Sequence, residues 1–132
     1  MLYTGLGLHK SFSYITTMED KGQIVGWKKL PSNGEVIEFL KEFGENMEVA
    51  IETTPSWYWL YDHLEDDGFD VKLSHPLRTK AIASAKVKAD KVDSATLAHL
   101  LRSDLLPSSY VPEKSVRLNR ELLRYRASLV KI

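Results

Sequence analysis

The stretch MEVAIETTPSWYW (residues 47–59) is the most informative about the fold of this chain. Its first five residues are an apolar run with strand character, and this run ends directly on the carboxylate of Glu52. Ser56 can cap a helix from Trp57 to Asp67, which Gly68 would close. A strand that passes through an acid into a capped helix predicts a βα unit. Glu52 would then lie at the edge where open α/β sheets bind ligands.

The flanking residues extend this unit into a sheet of five strands. Further strands are predicted from Leu2 to Leu8, Phe12 to Met18, Gln23 to Leu30 and Val71 to Leu73. Further helices are predicted from Ser32 or Asn33 to Phe43, near Leu77 to Ala85, and from about Val92 to Arg102. Three consecutive strands followed by alternating helices and strands predict an α/β fold, with a mixed five-stranded sheet flanked by helices.

The C-terminal end of the chain is predicted to be a linker followed by a helical extension. Pro107 and Pro112 bound the linker. The helix after it carries an apolar stripe of Val116, Leu122, Leu123, Leu129 and Val130 beside Arg117, Arg120, Arg124 and Arg126. An apolar stripe on a charged helix predicts association with a partner helix.

A second group of carboxylates lies in KADKVDS (residues 88–94). If residues 90–93 are helical, Asp90 and Asp93 lie on the same side. Together with Glu52 they would supply the oxygen ligands that Mg²⁺ and Mn²⁺ prefer. The alternative is that Asp93 or Ser94 caps the following helix, where a negative charge is favourable in any case.

The first predicted strand carries no carboxylate. It contains GLGLHK (residues 5–10), with Gly7 near its end. In two-metal nucleases a carboxylate on this strand typically bridges both ions. Without it, Glu52, Asp90 and Asp93 are expected to hold at most one weakly bound Mg²⁺ or Mn²⁺ ion, and little or no cleavage activity is expected.

Charge is distributed unevenly along the chain. The net charge is zero, but residues 1–70 hold 5 Lys and Arg against 13 Asp and Glu, and residues 71–132 hold 13 against 5. This asymmetry suggests a basic face for a polyanion, and the alternative is that the two halves pack against each other. The chain has no cysteine, which fits a cytoplasmic location, and no apolar run long enough to span a membrane.

Several of these segments, in this order, resemble the DEDD transposases of bacterial insertion sequences (insertion-sequence family 110). The resemblance is carried by Gly5 to Lys10, by Glu52 with Ser56 to Trp59, by Pro76 to Asp93, and by Leu100 to Pro107 with Tyr110 to Pro112. Gly7 stands where that family has its first aspartate, and Ala89 stands where it has a threonine.

The resemblance implies a ribonuclease H-like, Holliday-junction-resolvase-like domain over residues 1–106. Residues 107–132 would be the linker and the start of a coiled-coil region. It implies a DNA transposase or recombinase that uses Mg²⁺ or Mn²⁺, with Glu52, Asp90 and Asp93 as catalytic and metal-binding residues. The nucleic-acid-binding residues would be Arg78, Lys80, Lys86, Lys88 and Lys91. Expected partners are DNA, a structured RNA encoded by the element, and a second copy bound through the C-terminal helix.

Two alternatives to an active transposase domain stay open. The chain can be a catalytically silent remnant that keeps only nucleic-acid binding or self-association, or a small interaction module whose acids are structural. The aromatic run leaves a similar choice between stacking on bases and packing in the core. We predict that Trp59 packs in the core, and both roles stay open for Trp57. His63, His75 and His99 have no ligand spacing, so surface or capping roles are predicted for them.

Overall fold

The computed structural model describes residues 1–8, 12–31, 33–44, 46–52, 57–87, 94–109 and 111–130. Within these ranges the strands are β1 (Leu2–Leu8), β2 (Ser13–Glu19), β3 (Ile24–Leu30), β4 (Met47–Ile51) and β5 (Asp70–Leu73). The helices are α1 (Asn33–Lys41), α2 (Trp57–Asp66), α3 (Pro76–Val87), α4 (Ser94–Arg102) and α5 (Lys114–Val130). The predicted elements therefore form in the predicted order, and most of their ends agree within one or two residues.

The strands form one mixed sheet in the order β3-β2-β1-β4-β5. The first three strands are antiparallel neighbours, whereas β4 pairs parallel to β1 and β5 pairs parallel to β4. The antiparallel pairing of β2 with β3 follows from the short turn at Gly22, whose φ of 85° suits a residue without a side chain. The predicted α/β fold, with a mixed five-stranded sheet flanked by helices, is confirmed, and the arrangement is ribonuclease H-like.

Helices α1 and α2 cover one face of the sheet. Alternate strand residues point to this face and pack with the helices around a core that includes Leu6, Ile15, Val49, Leu60 and Leu64, each with no exposed surface. Burying a side chain of this size contributes about 1.5–3 kcal/mol. This core is the larger of the two hydrophobic clusters, so it supplies most of the apolar stabilisation of the described domain.

Helix α4 covers the other face, where β1 approaches it closely. A Cβ atom on Gly5 would overlap the carbonyl oxygen of Ser94 and would lie 2.8 Å from the backbone nitrogen of Ala98. The side-chain hydroxyls of Ser94 and Thr16 form a buried hydrogen bond of 2.8 Å. Ala50, Leu97 and Leu101 complete this second, smaller cluster. The beginning of α4 is therefore fixed over the middle of β1 and β2.

The aromatic run at the start of α2 does not pack as predicted. The prediction that Trp59 lies in the core is wrong, because 44% of its surface is exposed. Leu60 and Leu64 fill the core instead, and one helical face holds them together with the partly buried Trp57 and Tyr61. Trp59 lies outside this face because consecutive helical positions are rotated by about 100°.

The segment between α4 and α5 lies against the end of β5. The backbone nitrogen of Ser109 donates to the carbonyl of Leu73 at 2.7 Å, and that of His75 donates to the carbonyl of Pro107 at 2.7 Å. Ser108 forms an isolated antiparallel bridge with Ser74. This segment, predicted as a linker, is therefore hydrogen-bonded to the sheet.

Candidate active site

Glu52 follows the last residue of β4 and lies beside β1. The register pairs Leu6 with Ile51, and the backbone nitrogen of Glu52 donates to the carbonyl of Leu6 at 3.4 Å. The next residue along β1 is Gly7. Gly7 and Glu52 therefore lie side by side at the ends of two adjacent strands, and neighbouring strands are about 4.8 Å apart.

Side-chain alternation puts Gly7 and Glu52 on the face of the sheet that α4 covers. Gly5 faces α4, so Gly7, two residues further along, has the same orientation. Ala50 packs with Leu97 of α4, and Glu52 follows it by two residues. Among the described residues, a Cβ atom on Gly7 would meet only the Cβ atom of Tyr14, at 3.9 Å. The position therefore has room for a side chain that would share a face with the half-buried Glu52.

Helix α4 begins at Ser94, directly after the segment that contains the two aspartates. Asp90 and Asp93 lie outside the described residues, so the convergence of these acids with Glu52 stays a prediction. Within the described ranges, no group of three or more His, Cys, Asp or Glu side chains is placed to hold a metal ion. Glu52 is one carboxylate and Gly7 offers no donor, so the described residues do not form a complete metal site by themselves.

Two of the five predicted nucleic-acid-binding residues can be located with their side chains. Arg78 and Lys80 are exposed on the first turns of α3. This helix begins at the same end of the sheet as Glu52, because the backbone nitrogen of Ser74 donates to the carbonyl of Ile51 at 2.9 Å. Lys86 belongs to α3, but its side chain is not described, and Lys88 and Lys91 lie outside the described residues.

A comparison with protein families decides the class of the chain. The family model of the DEDD transposases of insertion-sequence family 110, described as transposase, matches residues 4–132. The chain belongs to this family. A search of curated proteins found no significant match. The chain is therefore a transposase domain, and by resemblance it falls in a class of DNA-cleaving enzymes. Enzymes of this family generally use divalent metal ions.

His75 of the transposase domain lies directly before the first residue of α3. The Nδ1 atom of His75 accepts a hydrogen bond of 3.3 Å from the backbone nitrogen of Arg78, so His75 caps α3 as predicted.

Among the helices of the described residues, none combines the length and the apolar character that crossing a membrane requires.

A bidentate ion pair joins α5 of the transposase domain to α2. Arg117 donates to both carboxylate oxygens of Asp62, at 3.1 and 2.9 Å, and its guanidinium lies 5.7 Å from the ring centre of Trp57. The hydrogen bond with Asp62 raises the pKa of Arg117. Burial, followed by a hydrogen bond with Glu65, raises the pKa of the neighbouring Tyr61 to about 12. Trp57, whose role was open, therefore packs against the core and Arg117.

Ion pairs also bear on the uneven charge of the two halves. Lys72 of β5 pairs with Glu48 of β4 at 3.9 Å, in addition to the pair between Arg117 and Asp62. Both pairs join the basic half to the acidic half, so packing between the halves accounts for part of the asymmetry. The exposed Arg78 and Lys80 belong to the part of the basic charge that faces solvent.

Sequence reasoning missed a group of residues on the face that Gly7 shares. One surface on this face is formed by Phe12, Tyr14, Trp27 and Lys29. The distance between ring centres is 5.3 Å for Phe12 and Tyr14 and 6.0 Å for Tyr14 and Trp27. The i, i+2 spacing on two successive strands was a signal that could have found them. To place the residues of β2 beside those of β3, one also needs the register of the β2–β3 hairpin. This register contains an irregularity between Thr17 and Met18.

Proposed function

We propose that this chain is the metal-dependent, resolvase-like strand-cleavage domain of a DNA transposase, in a form whose cleavage is impaired at residue 7. The observation that carries the proposal is the hydrogen bond from Glu52 to the carbonyl of Leu6. It brings the end of β4 beside Gly7, on the face where α4 begins. Glu52, Asp90 and Asp93 are the proposed metal-binding and catalytic residues.

The proposed site would hold one Mg²⁺ or Mn²⁺ ion weakly. A divalent cation at such a site lowers the pKa of a bound water and stabilises the leaving oxygen of a phosphodiester. The role of Glu52 is to hold the ion at the sheet edge, and the aspartates of the segment 88–93 would complete the ligand set. Gly7 adds no oxygen at the position where a bridging carboxylate would point into the same space.

DNA is the proposed polyanion, and it would lie along α3. Arg78 and Lys80 support this proposal because they are exposed at the end of the sheet where Glu52 lies. Lys86, Lys88 and Lys91 would extend the same contact toward α4. Lysine and arginine position a phosphate backbone without reading its sequence, which is what a strand-cleaving site needs beside its metal. A structured RNA of the element is the second proposed nucleic-acid partner.

The role of DNA can be tested by the salt dependence of binding. Replacing Arg78 and Lys80 by glutamine should lower the slope of log K against log salt by about 2, since each phosphate contact contributes about 0.9. The matched control replaces Lys21 and Lys41, which lie at the opposite end of the sheet by its topology. Equal slopes for the two double variants would contradict the proposed interface.

The C-terminal helix is proposed to associate with a second copy of the chain. In this proposal the domain comprises residues 1–106, and residues 107–132 are the linker and the start of a coiled-coil region. None of the described residues of α5 is buried, although it carries many apolar side chains. Leu118, Leu122, Tyr125 and Leu129 follow the 4-3-4 spacing of a coiled-coil seam. Leu122→Glu should shift the chain toward monomer in sedimentation equilibrium, and Arg124→Glu should not. A parent chain that stays monomeric at high concentration would contradict the proposal.

A second candidate is a catalytically silent domain that keeps nucleic-acid binding, and Gly7 is the observation that favours it. Cleavage of branched DNA with Mn²⁺ separates the two. We expect little or no cleavage by the parent, cleavage by Gly7→Asp, and none by Gly7→Asp combined with Glu52→Gln. Absence of cleavage in all three would favour the silent domain. Calorimetry that detects no Mn²⁺ binding in any of them would favour an interaction module with structural acids.

A further inference from the structure

The aromatic surface, formed by Phe12, Tyr14, Trp27 and Lys29, lies next to the candidate active site. The strand register pairs Gly7 of β1 with Tyr14 of β2, and Tyr14 with Lys29 of β3. These three residues therefore form one row across the sheet. At about 4.8 Å between strands, Lys29 lies about 10 Å from Gly7, and Glu52 continues the row on the far side of Gly7.

The most exposed ring of the aromatic surface is the indole of Trp27. The rings of Tyr14 and Trp27 are inclined by only 30°, and 61% of the surface of Trp27 is exposed. The ammonium group of Lys29 lies 4.4 Å from the ring centre of Phe12 and 5.7 Å from that of Tyr14. This cation–π geometry holds a positive charge beside the rings of Phe12 and Tyr14, and the ring of Tyr14 lies next to that of Trp27.

The two faces of β3 differ in how they are covered. On the face toward α1, Gly26 lies against Phe43 and the ammonium group of Lys28 lies 5.8 Å from the ring centre of Phe39. On the other face, Trp27 lies opposite Thr16, whose hydroxyl bonds to Ser94 at the start of α4. The exposed indole therefore lies beside Tyr14, the neighbour of Gly7, and beside Thr16, which bonds to the beginning of α4. Burial in the core does not explain it.

We propose that the aromatic surface binds unpaired nucleotides of the DNA strand next to the candidate cleavage position, with a base stacked on Trp27 and a phosphate beside Lys29. Stacking on an aromatic ring requires an exposed base face, which a duplex does not offer and a single strand does. Charge supports nucleic acid as the ligand, because Lys29, on the same face as Trp27, lies at the Gly7 end of the β2–β3 hairpin. The acids Glu19 and Asp20 lie at its other end.

This inference rests on the proposed function, since it assumes that the domain binds DNA. It adds that part of the bound DNA is unpaired, and that the sheet itself, rather than α3, contacts the bases. The two proposals use different residues, so their tests can fail separately.

The first experiment measures binding of a labelled single-stranded oligothymidylate to the full chain by fluorescence anisotropy. Trp27→Ala should weaken binding about fivefold or more, because stacking contributes about 1–3 kcal/mol per base. Trp27→Phe should recover most of the affinity. The matched control is Trp59→Ala, which removes an indole with 44% of its surface exposed from α2, on the opposite face of the sheet.

The second experiment uses two adjacent lysines that point to opposite faces. Lys29→Gln should lower the slope of log K against log salt by about 0.7, the value for one phosphate of a single strand. Lys28→Gln makes the same change in net charge but removes the ammonium group that lies over Phe39. Lys28→Gln should therefore change the slope less than Lys29→Gln does.

The outcomes separate the two proposals. Loss of binding in Trp27→Ala but not in Trp59→Ala supports the aromatic surface as a binding site for unpaired bases. Binding of the oligonucleotide that is equal in the parent and in Trp27→Ala overturns this inference and leaves the proposed function standing. No binding of single-stranded or branched DNA by the parent overturns both. A change of oligomeric state in Trp27→Ala, without a change in DNA affinity, assigns the surface to a second copy and also overturns the inference.

Discussion

Gly5 and Gly7 lie on the same strand and the same face, yet a side chain would meet different surroundings at each. A Cβ atom on Gly5 would overlap the carbonyl oxygen of Ser94. Among the described residues, one on Gly7 would come no closer than 3.9 Å, to the Cβ atom of Tyr14. Gly5 is required because α4 lies directly against β1. Among the described residues, no packing contact requires Gly7, so the fold does not impose the absence of a carboxylate at this position.

The largest effect that this comparison predicts is on Gly5. Gly5→Ala should lower the free energy of unfolding by about 3 kcal/mol, because α4 must move away from β1 to admit the methyl group. Denaturant unfolding of the parent and the variant measures the difference. A loss below about 0.5 kcal/mol, the usual range for exposed sites, would mean that α4 does not lie against β1 at Gly5.

A smaller effect is expected for the hydrogen bond that fixes α4 over Gly5. Thr16→Val should cost about 1–2 kcal/mol, because the buried hydroxyl of Ser94 would lose its partner. Combining it with Ser94→Ala should cost less than the sum of the two single variants. A double-mutant cycle in denaturant measures this coupling, and additive costs would contradict the pairing of these two hydroxyls.

The smallest effect is expected at Gly7. Its φ is not among the positive values, which are found at Gly22, Gly44 and Gly68. Gly7→Ala should therefore leave stability unchanged or raise it by up to about 1 kcal/mol, through a lower entropy of the unfolded chain. The same unfolding measurement applies. A destabilisation similar to that of Gly5→Ala would remove the difference between the two glycines.

The difference between these glycines also shows what sequence reasoning could reach. The strands, the helices and the mixed five-stranded sheet follow from local patterns and from the order of elements, whereas the parallel pairing of β1 with β4 was read from the structure. The tight approach at Gly5 depends on Ser94 and Ala98, which are about 90 residues away along the chain, so no local pattern predicts it.

The exposure of aromatic residues was also beyond the sequence pattern. The apolar run around Trp59 predicts burial, but the helical phase turns Leu60 and Leu64 toward the core instead. The i, i+2 spacing puts Trp27 and Lys29 on one face of β3, but the contact of Trp27 with Tyr14 depends on the register of the β2–β3 hairpin, which no local pattern gives. The ligand set itself stays a prediction, because Asp90 and Asp93 lie in the segment 88–93, outside the described residues.

The central claim is that residue 7 faces the site of Glu52, Asp90 and Asp93. The most direct test is thermal unfolding of the parent, Gly7→Asp and the control Gly34→Asp, each with and without Mn²⁺. Among the described residues, a Cβ atom on Gly34 would meet nothing within 4 Å, so the control adds a carboxylate at an open place in α1, on the other face of the sheet.

Without metal, Gly7→Asp should be less stable than the parent because carboxylates would crowd one edge of the sheet. With Mn²⁺ it should gain more stability than the parent and the control do. The gain is about 1.4 kcal/mol when the Mn²⁺ concentration is ten times its Kd. If Gly7→Asp gains no more from Mn²⁺ than the parent and Gly34→Asp, residue 7 does not face a metal site and the central claim is wrong.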